Sequence, residues 1–113
     1  MDMNRFTEKS QAAIHDAETR AASLGHQEVD VEHLLLALLE QADGLIPNLL
    51  NRAGVDPIGV INEIKKNLNQ RPTVSGGATE AGKVYVTQRL NQLLARSEKE
   101  AAHLKDDYIS VEH

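Results

Sequence analysis

No cysteine and no tryptophan occur among the 113 residues, and the aromatic side chains are Phe6, Tyr85 and Tyr108. Without thiols, neither a disulfide framework nor a thiolate metal site can form, a composition that suits a reducing compartment. Formal net charge is −5, with acidic and basic residues interspersed. Such a chain lacks both the basic stripe that pairs with phosphates and the rings on which bases stack, so no nucleic-acid partner is expected. The longest apolar run, Leu34 to Leu39, covers about two helical turns and falls far short of the ~20 residues that span a bilayer. The opening Met1-Asp2-Met3-Asn4-Arg5 has no signal-peptide core. A soluble, cytoplasmic protein without membrane association is expected. Gly-x-Ser-x-Gly, a Walker motif and a cysteine nucleophile are all missing from the sequence, so no intrinsic catalysis and no cofactor of its own are expected.

The histidines are His15, His26, His33, His103 and His113, and no pair has the i, i+4 spacing of a helical zinc site. No metal site is expected; His33, following Glu32 at a helix start, is expected to pack or hydrogen-bond locally. Asp106-Asp107 has two readings, a solvated turn between helices or part of a binding surface.

What is present is an internal repeat. A shift of 80 residues lays Phe6–His33 over Val86–His113 without a gap. Thr7 meets Thr87, Ala21-Ala22 meets Ala101-Ala102, and Val31-Glu32-His33 meets Val111-Glu112-His113. Three matches in a row beyond the first helix argue for true repetition. Each copy starts with an amphipathic helix, its stripe set by Phe6, Ser10, Ile14, Ala17, Ala21 and Leu24 in the first and by Val86, Leu90, Leu93, Leu94, Ala101 and Leu104 in the second. Gly25 ends the first, glycine being at ease in the left-handed C′ conformation. Lys105 stands there in the second, which requires another closure or mild strain.

Asp30 and Ser110 are matched N-cap residues. Val31–Leu39 predicts a helix apolar nearly all round, hence buried. Two further helices are expected, about Ile46 to Ala53, ended by Gly54, and one opened by Asp56-Pro57 with Ile58, Ile61, Ile64 and Leu68 as its apolar face. Residues 73–83 are expected to form a flexible loop. The second copy stops at His113, where its own apolar helix is due, so the repeat is incomplete and the sequence is expected to continue in a larger protein. Thr7 and Thr87 open the first helices, and Glu32 and Glu112 the next. They are either caps and dipole-compensating acids, or two related polar pockets pairing a hydroxyl with a carboxylate.

Asn4-Arg5-Phe6-Thr7-Glu8-Lys9-Ser10, Gly25 through Leu39, Asp43-Gly44-Leu45-Ile46-Pro47, Gly54-Val55-Asp56-Pro57 and Arg71-Pro72-x-Val74-Ser75-Gly76-Gly77 resemble the start of the ClpB disaggregase family, in order and with matching gaps. The resemblance implies an all-α, pseudo-two-fold bundle of two tandem four-helix Clp repeats. The first would cover about 4–70, a loop about 72–84, and the start of a truncated second 85–113. It also implies a substrate-engaging domain of a homo-hexameric AAA+ parent that binds ATP and Mg elsewhere in its chain. Such parents act with a DnaK-type chaperone system on unfolded or aggregated polypeptides. Carried over by position, the groove would have Thr7, Asp106 and Glu112 on its rim and Leu94 and Tyr108 on its apolar floor, with Glu32 and Thr87 at the related second position. The alternative is the adaptor or phosphoarginine recognition of ClpC- and ClpA-type ATPases, with Glu32 and Glu112 as symmetric ligands for a guanidinium group.

Overall fold

The computed structural model describes residues 3–41, 44–73 and 84–113. After a 3₁₀ turn at Met3–Arg5 come helix α1 (Glu8–Ser23), strand β1 (Glu28–Val29), and helices α2 (Val31–Leu39), α3 (Leu45–Arg52) and α4 (Pro57–Asn69). Strand β2 (Tyr85–Val86) and helix α5 (Gln88–His103) follow. The fold is helical, as expected, with two-residue strands the sequence does not announce. Most of the loop expected over 73–83 lies outside the described residues.

Thr7 caps α1 by accepting the Ser10 amide at 3.3 Å, and Thr87 caps α5 by accepting the Leu90 amide at 3.1 Å. At the other end Gly25, at φ 75°, turns the chain so that the Gly25 and His26 amides donate back to Ala22 and Ala21. Lys105 does the same at φ 60°, its amide on Ala102 and that of Asp106 on Ala101. The second copy therefore closes with the same turn as the first and carries the cost of a Cβ in the left-handed region. Lys105→Gly is expected to raise the unfolding free energy by about 1 kcal/mol, read as a higher urea midpoint at unchanged slope; no gain would show that the strain is relieved elsewhere.

The two copies trade extended segments. Val29 pairs with Val86 ahead of α5, and Ile109, 80 residues on from Val29, pairs with Phe6 ahead of α1, both in parallel. The Thr87 amide donates to the Val29 carbonyl at 3.1 Å and the Thr7 amide to that of Ile109 at 3.0 Å. This reciprocity is the pseudo-two-fold relation in hydrogen bonds, and it sets each helix start of one copy against the second-helix start of the other.

Among the described residues, three clusters form the core. Ala13, Ala17 and Ala21 let α2 approach α1 closely, with Val29, Leu34 and Leu90 around them. Leu36 and Leu39 meet Ile64 and Leu68 of α4. Phe6, Ala101 and Ile109 form the third, and Ile14 and Leu94 link it to the first. Three expectations need correction. Ile58 is 65% exposed, because the buried contacts with α2 are made by later turns of α4. Leu24, the C-cap, lies past the buried stripe of α1, whereas Ala13 belongs to it. In α5, only Leu90 and Ala101 of the expected stripe are buried, Leu94 is half-buried, and Val86, Leu93 and Leu104 are exposed.

Candidate functional site

The exchange of segments creates two polar corners, each with a threonine cap facing the start of a second helix. In the first, Asp30 caps α2. Its Oδ1 accepts the Val31 amide at 2.7 Å and the Thr87 hydroxyl at 2.8 Å, and its Oδ2 accepts from Arg71 at 3.0 Å and Arg89 at 3.2 Å. Burial alone would push the Asp30 carboxyl up; the amide, the hydroxyl and the two guanidinium groups reverse this and hold it below its usual value. Glu32 pairs with Arg71 and, at 2.9 Å, with Arg89. Thr87 thus bonds to Asp30 rather than Glu32, and Glu32 is engaged by the chain's own arginines.

His33 completes this corner from the third position of α2. Its Nδ1 accepts the Asp30 amide at 2.9 Å, so that residue Asp30 is bound reciprocally by backbone and side chain. His33 Nε2 lies 2.8 Å from Nδ1 of His26, and the His26 ring also meets the Leu68 carbonyl. Both rings are buried. Burial, then the neighbouring His26 and Arg71, push His33 down to about 4 despite Asp30 and Glu32; burial and Arg71 lower His26 as well.

In the second corner, Thr7 and Glu112 lie together on a groove of about 590 Å³ that also presents Leu45, Asn48, Ser110 and Val111. Glu112 is exposed, and hydrogen bonds from the Ser110 hydroxyl and its own amide, with His113 nearby, hold its carboxyl below the usual range. Ser110 and Val111 also line a smaller apolar cavity of about 150 Å³ that contains Phe6, Leu93, Leu94 and His113. Asp106 reaches this cavity through His113, its Oδ2 2.8 Å from His113 Nε2. Tyr108 lines neither space and is 59% exposed.

The structure therefore brings Thr7, Glu112 and Leu94 to adjoining cavities, links Asp106 to them and leaves Tyr108 outside. Glu32 and Thr87 sit at the other corner. The sequence reading missed Arg71, Arg89 and the His26–His33 pair. The 80-residue shift held a signal, since it lays His26 over Asp106, each seven residues ahead of a matched histidine.

Among the described residues no helix is long and apolar enough to cross a membrane, and no cluster of three or more His, Asp or Glu could hold a metal ion. Helical repeats exchanging capped starts define a small helical domain with a polar-rimmed apolar groove. Residues 5–113 match the Clp repeat (R) N-terminal domain, and the chain belongs to that family.

Within it, the similarity is to the amino-terminal regions of ClpB chaperones. The whole chain is 46% identical to chaperone protein ClpB of Nitratidesulfovibrio vulgaris over 113 residues, and 49% identical to that of Bacillus cereus, in each case spanning 13% of the relative's length. Among solved structures, the N-terminal domain of the ClpV1 ATPase from the E. coli EAEC Sci1 T6SS matches at a TM-score of 0.80 with 24% identity, over 94% of this chain and 62% of that one. The N-terminal domain of ClpD from Arabidopsis thaliana matches at 0.70 with 19% identity, over 97% and 72%. These two likenesses establish the fold.

Proposed function

We propose that this domain captures exposed apolar segments of misfolded or aggregated polypeptides and presents them to the AAA+ ring of a ClpB-type parent. The observation that carries this reading is the Thr7–Glu112 groove, which presents Leu45 and shares Ser110 and Val111 with the cavity holding Leu94. Apolar surface of this kind recovers roughly 25 cal/mol per Å² and carries no sequence code, which suits promiscuous capture. The rim carboxylate Glu112 favours segments bearing Lys or Arg and fixes orientation more than affinity. On this reading the domain is not itself an enzyme. ATP hydrolysis, a homo-hexameric ring, cytoplasmic residence and cooperation with a DnaK-type system belong to the parent, and six copies on one ring would add avidity.

The phosphoarginine reading needs Glu32 and Glu112 as equivalent open ligands. Glu32 already carries Arg71 and Arg89, which counts against that symmetry.

A backbone NMR titration with an unfolded, apolar-rich polypeptide tests the proposal. Shifts are expected around Thr7, Leu94, Asp106 and Glu112; none in a folded chain would remove it. Glu112→Gln, at an exposed position, is expected to weaken binding about threefold at low salt and to flatten its salt dependence. Tyr108→Ala is expected to leave binding unchanged, because Tyr108 lines neither cavity; a loss of about tenfold would extend the apolar floor to it. Leu94→Ala is a poorer probe, because Leu94 also packs between two core clusters.

A further inference from the structure

The relay at the first corner admits a single arrangement of protons. The Asp30 amide donates to His33 Nδ1, so the ring hydrogen of a neutral His33 is on Nε2. That hydrogen points at His26 Nδ1, which must accept, leaving His26 Nε2–H for the Leu68 carbonyl. A proton added to His33 would set Nδ1–H against the Asp30 N–H. One added to His26 would set two N–H groups against each other. The charged groups facing the pair are Arg71, which opposes a further positive charge, and Asp30 and Glu32, which are already engaged by Arg71 and Arg89. The His33 ring is fully buried, so a bond broken at either of its nitrogens is not replaced by a bond to bulk water.

The second corner has the same layout and a different chemistry. The Ser110 amide donates to His113 Nδ1 at 2.9 Å, as Asp30 does to His33. The partner of Nε2, however, is the Asp106 carboxylate, and the Ser110 hydroxyl lies 3.2 Å from Nδ1. An imidazolium there keeps the Asp106 carboxylate on Nε2, and its Nδ1–H displaces the Ser110 amide but has the Ser110 hydroxyl oxygen to turn to, so the Asp106–His113 contact holds.

The geometry points to an acid-released latch confined to the first repeat: uptake of one proton by the buried His26–His33 pair opens the cap of α2 and frees the end of α4, while the Asp106–His113 pair stays closed. Because His33 titrates lower in the folded chain than the 6.5 of a free imidazole, the latch is fully held above pH 6.5 and weakens as pH falls from there. The opening equilibrium grows by up to roughly tenfold per pH unit for one proton taken up.

Amide hydrogen exchange, corrected for intrinsic rate and followed from pH 7 to 4.5, tests this on the 113-residue chain. The Asp30 amide reports the first relay, and the Asp106 amide, which donates to the Ala101 carbonyl, reports the second corner. Protection of Asp30 and of the Arg71 amide, which donates to the Leu68 carbonyl, is expected to fall by about tenfold per unit below pH 6, while that of Asp106 stays flat. Parallel loss at Asp30 and Asp106, or a flat profile at Asp30, would overturn the inference. His26→Asp, which installs the second repeat's pair, is expected to flatten the Asp30 profile; a folded variant with the original profile would overturn it too. Should that variant not fold, the contrast between Asp30 and Asp106 in the unaltered chain decides alone.

Discussion

Leu68→Ala is expected to lower the unfolding free energy by roughly 3 kcal/mol and the melting temperature by about 10 °C. Leu68 is 1% exposed and packs with Leu36, Leu39 and Ile64. Removing three carbons leaves a void that neighbours on two helices cannot close, which adds a cavity term to the lost transfer energy. The same helix supplies its own control. Ile58, 65% exposed, is expected to cost well under 1 kcal/mol on truncation to alanine, because little apolar surface returns to water. Chemical unfolding followed by circular dichroism would read both. A loss below about 1 kcal/mol for Leu68→Ala would mean that α4 is not docked on α2 in solution.

Asp30→Ala is expected to cost a similar amount, roughly 3 kcal/mol, by a different route. The change removes the cap of α2, worth about 1 kcal/mol, leaves the Thr87 hydroxyl without its acceptor, and strips one carboxylate from two guanidinium groups. Asp30→Asn keeps a side-chain oxygen for the cap and removes the charge, so it is expected to recover about half of the loss. Equal costs for the two variants would show that the charge, not the cap, is what matters.

The pH dependence separates this group from the histidines. Asp30 has a lowered folded value, so its contribution is present above its unfolded value of 3.8 and is lost as pH falls below it. The His33 contribution is lost earlier, between 6.5 and about 4. Unfolding free energies measured across pH 7 to 3 are expected to fall in those two stages, and Asp30→Ala removes only the lower one.

Much of the architecture was legible in the residues because it is local. Thr7, Asp30, Asp56-Pro57, Gly25 and Gly54 mark helix ends by capping chemistry, which acts within three or four residues of chain. The repeat was legible because equivalent surroundings select equivalent residues, most plainly at Val31-Glu32-His33 and Val111-Glu112-His113. From Thr7 and Glu112 the sequence also suggested a hydroxyl and a carboxylate at one corner, and the folded chain places the two on one groove.

Which partner each polar group takes was decided only by tertiary structure. Thr87 and Glu32 are the repeat equivalents of Thr7 and Glu112, yet Thr87 bonds to Asp30 and Glu32 is held by Arg71 and Arg89. Arg71 approaches from 39 residues away along the chain, a separation at which one-dimensional spacing carries no distance. The two-residue strands were equally hidden, since Val29–Val86 and Phe6–Ile109 pair across copies through backbone groups that every residue has. Local capping and periodicity set where the helices begin, end and turn an apolar face. The docking of one copy on the other, by exchanging the segments between their helices, decides which charges are neutralised within the fold and which face the groove.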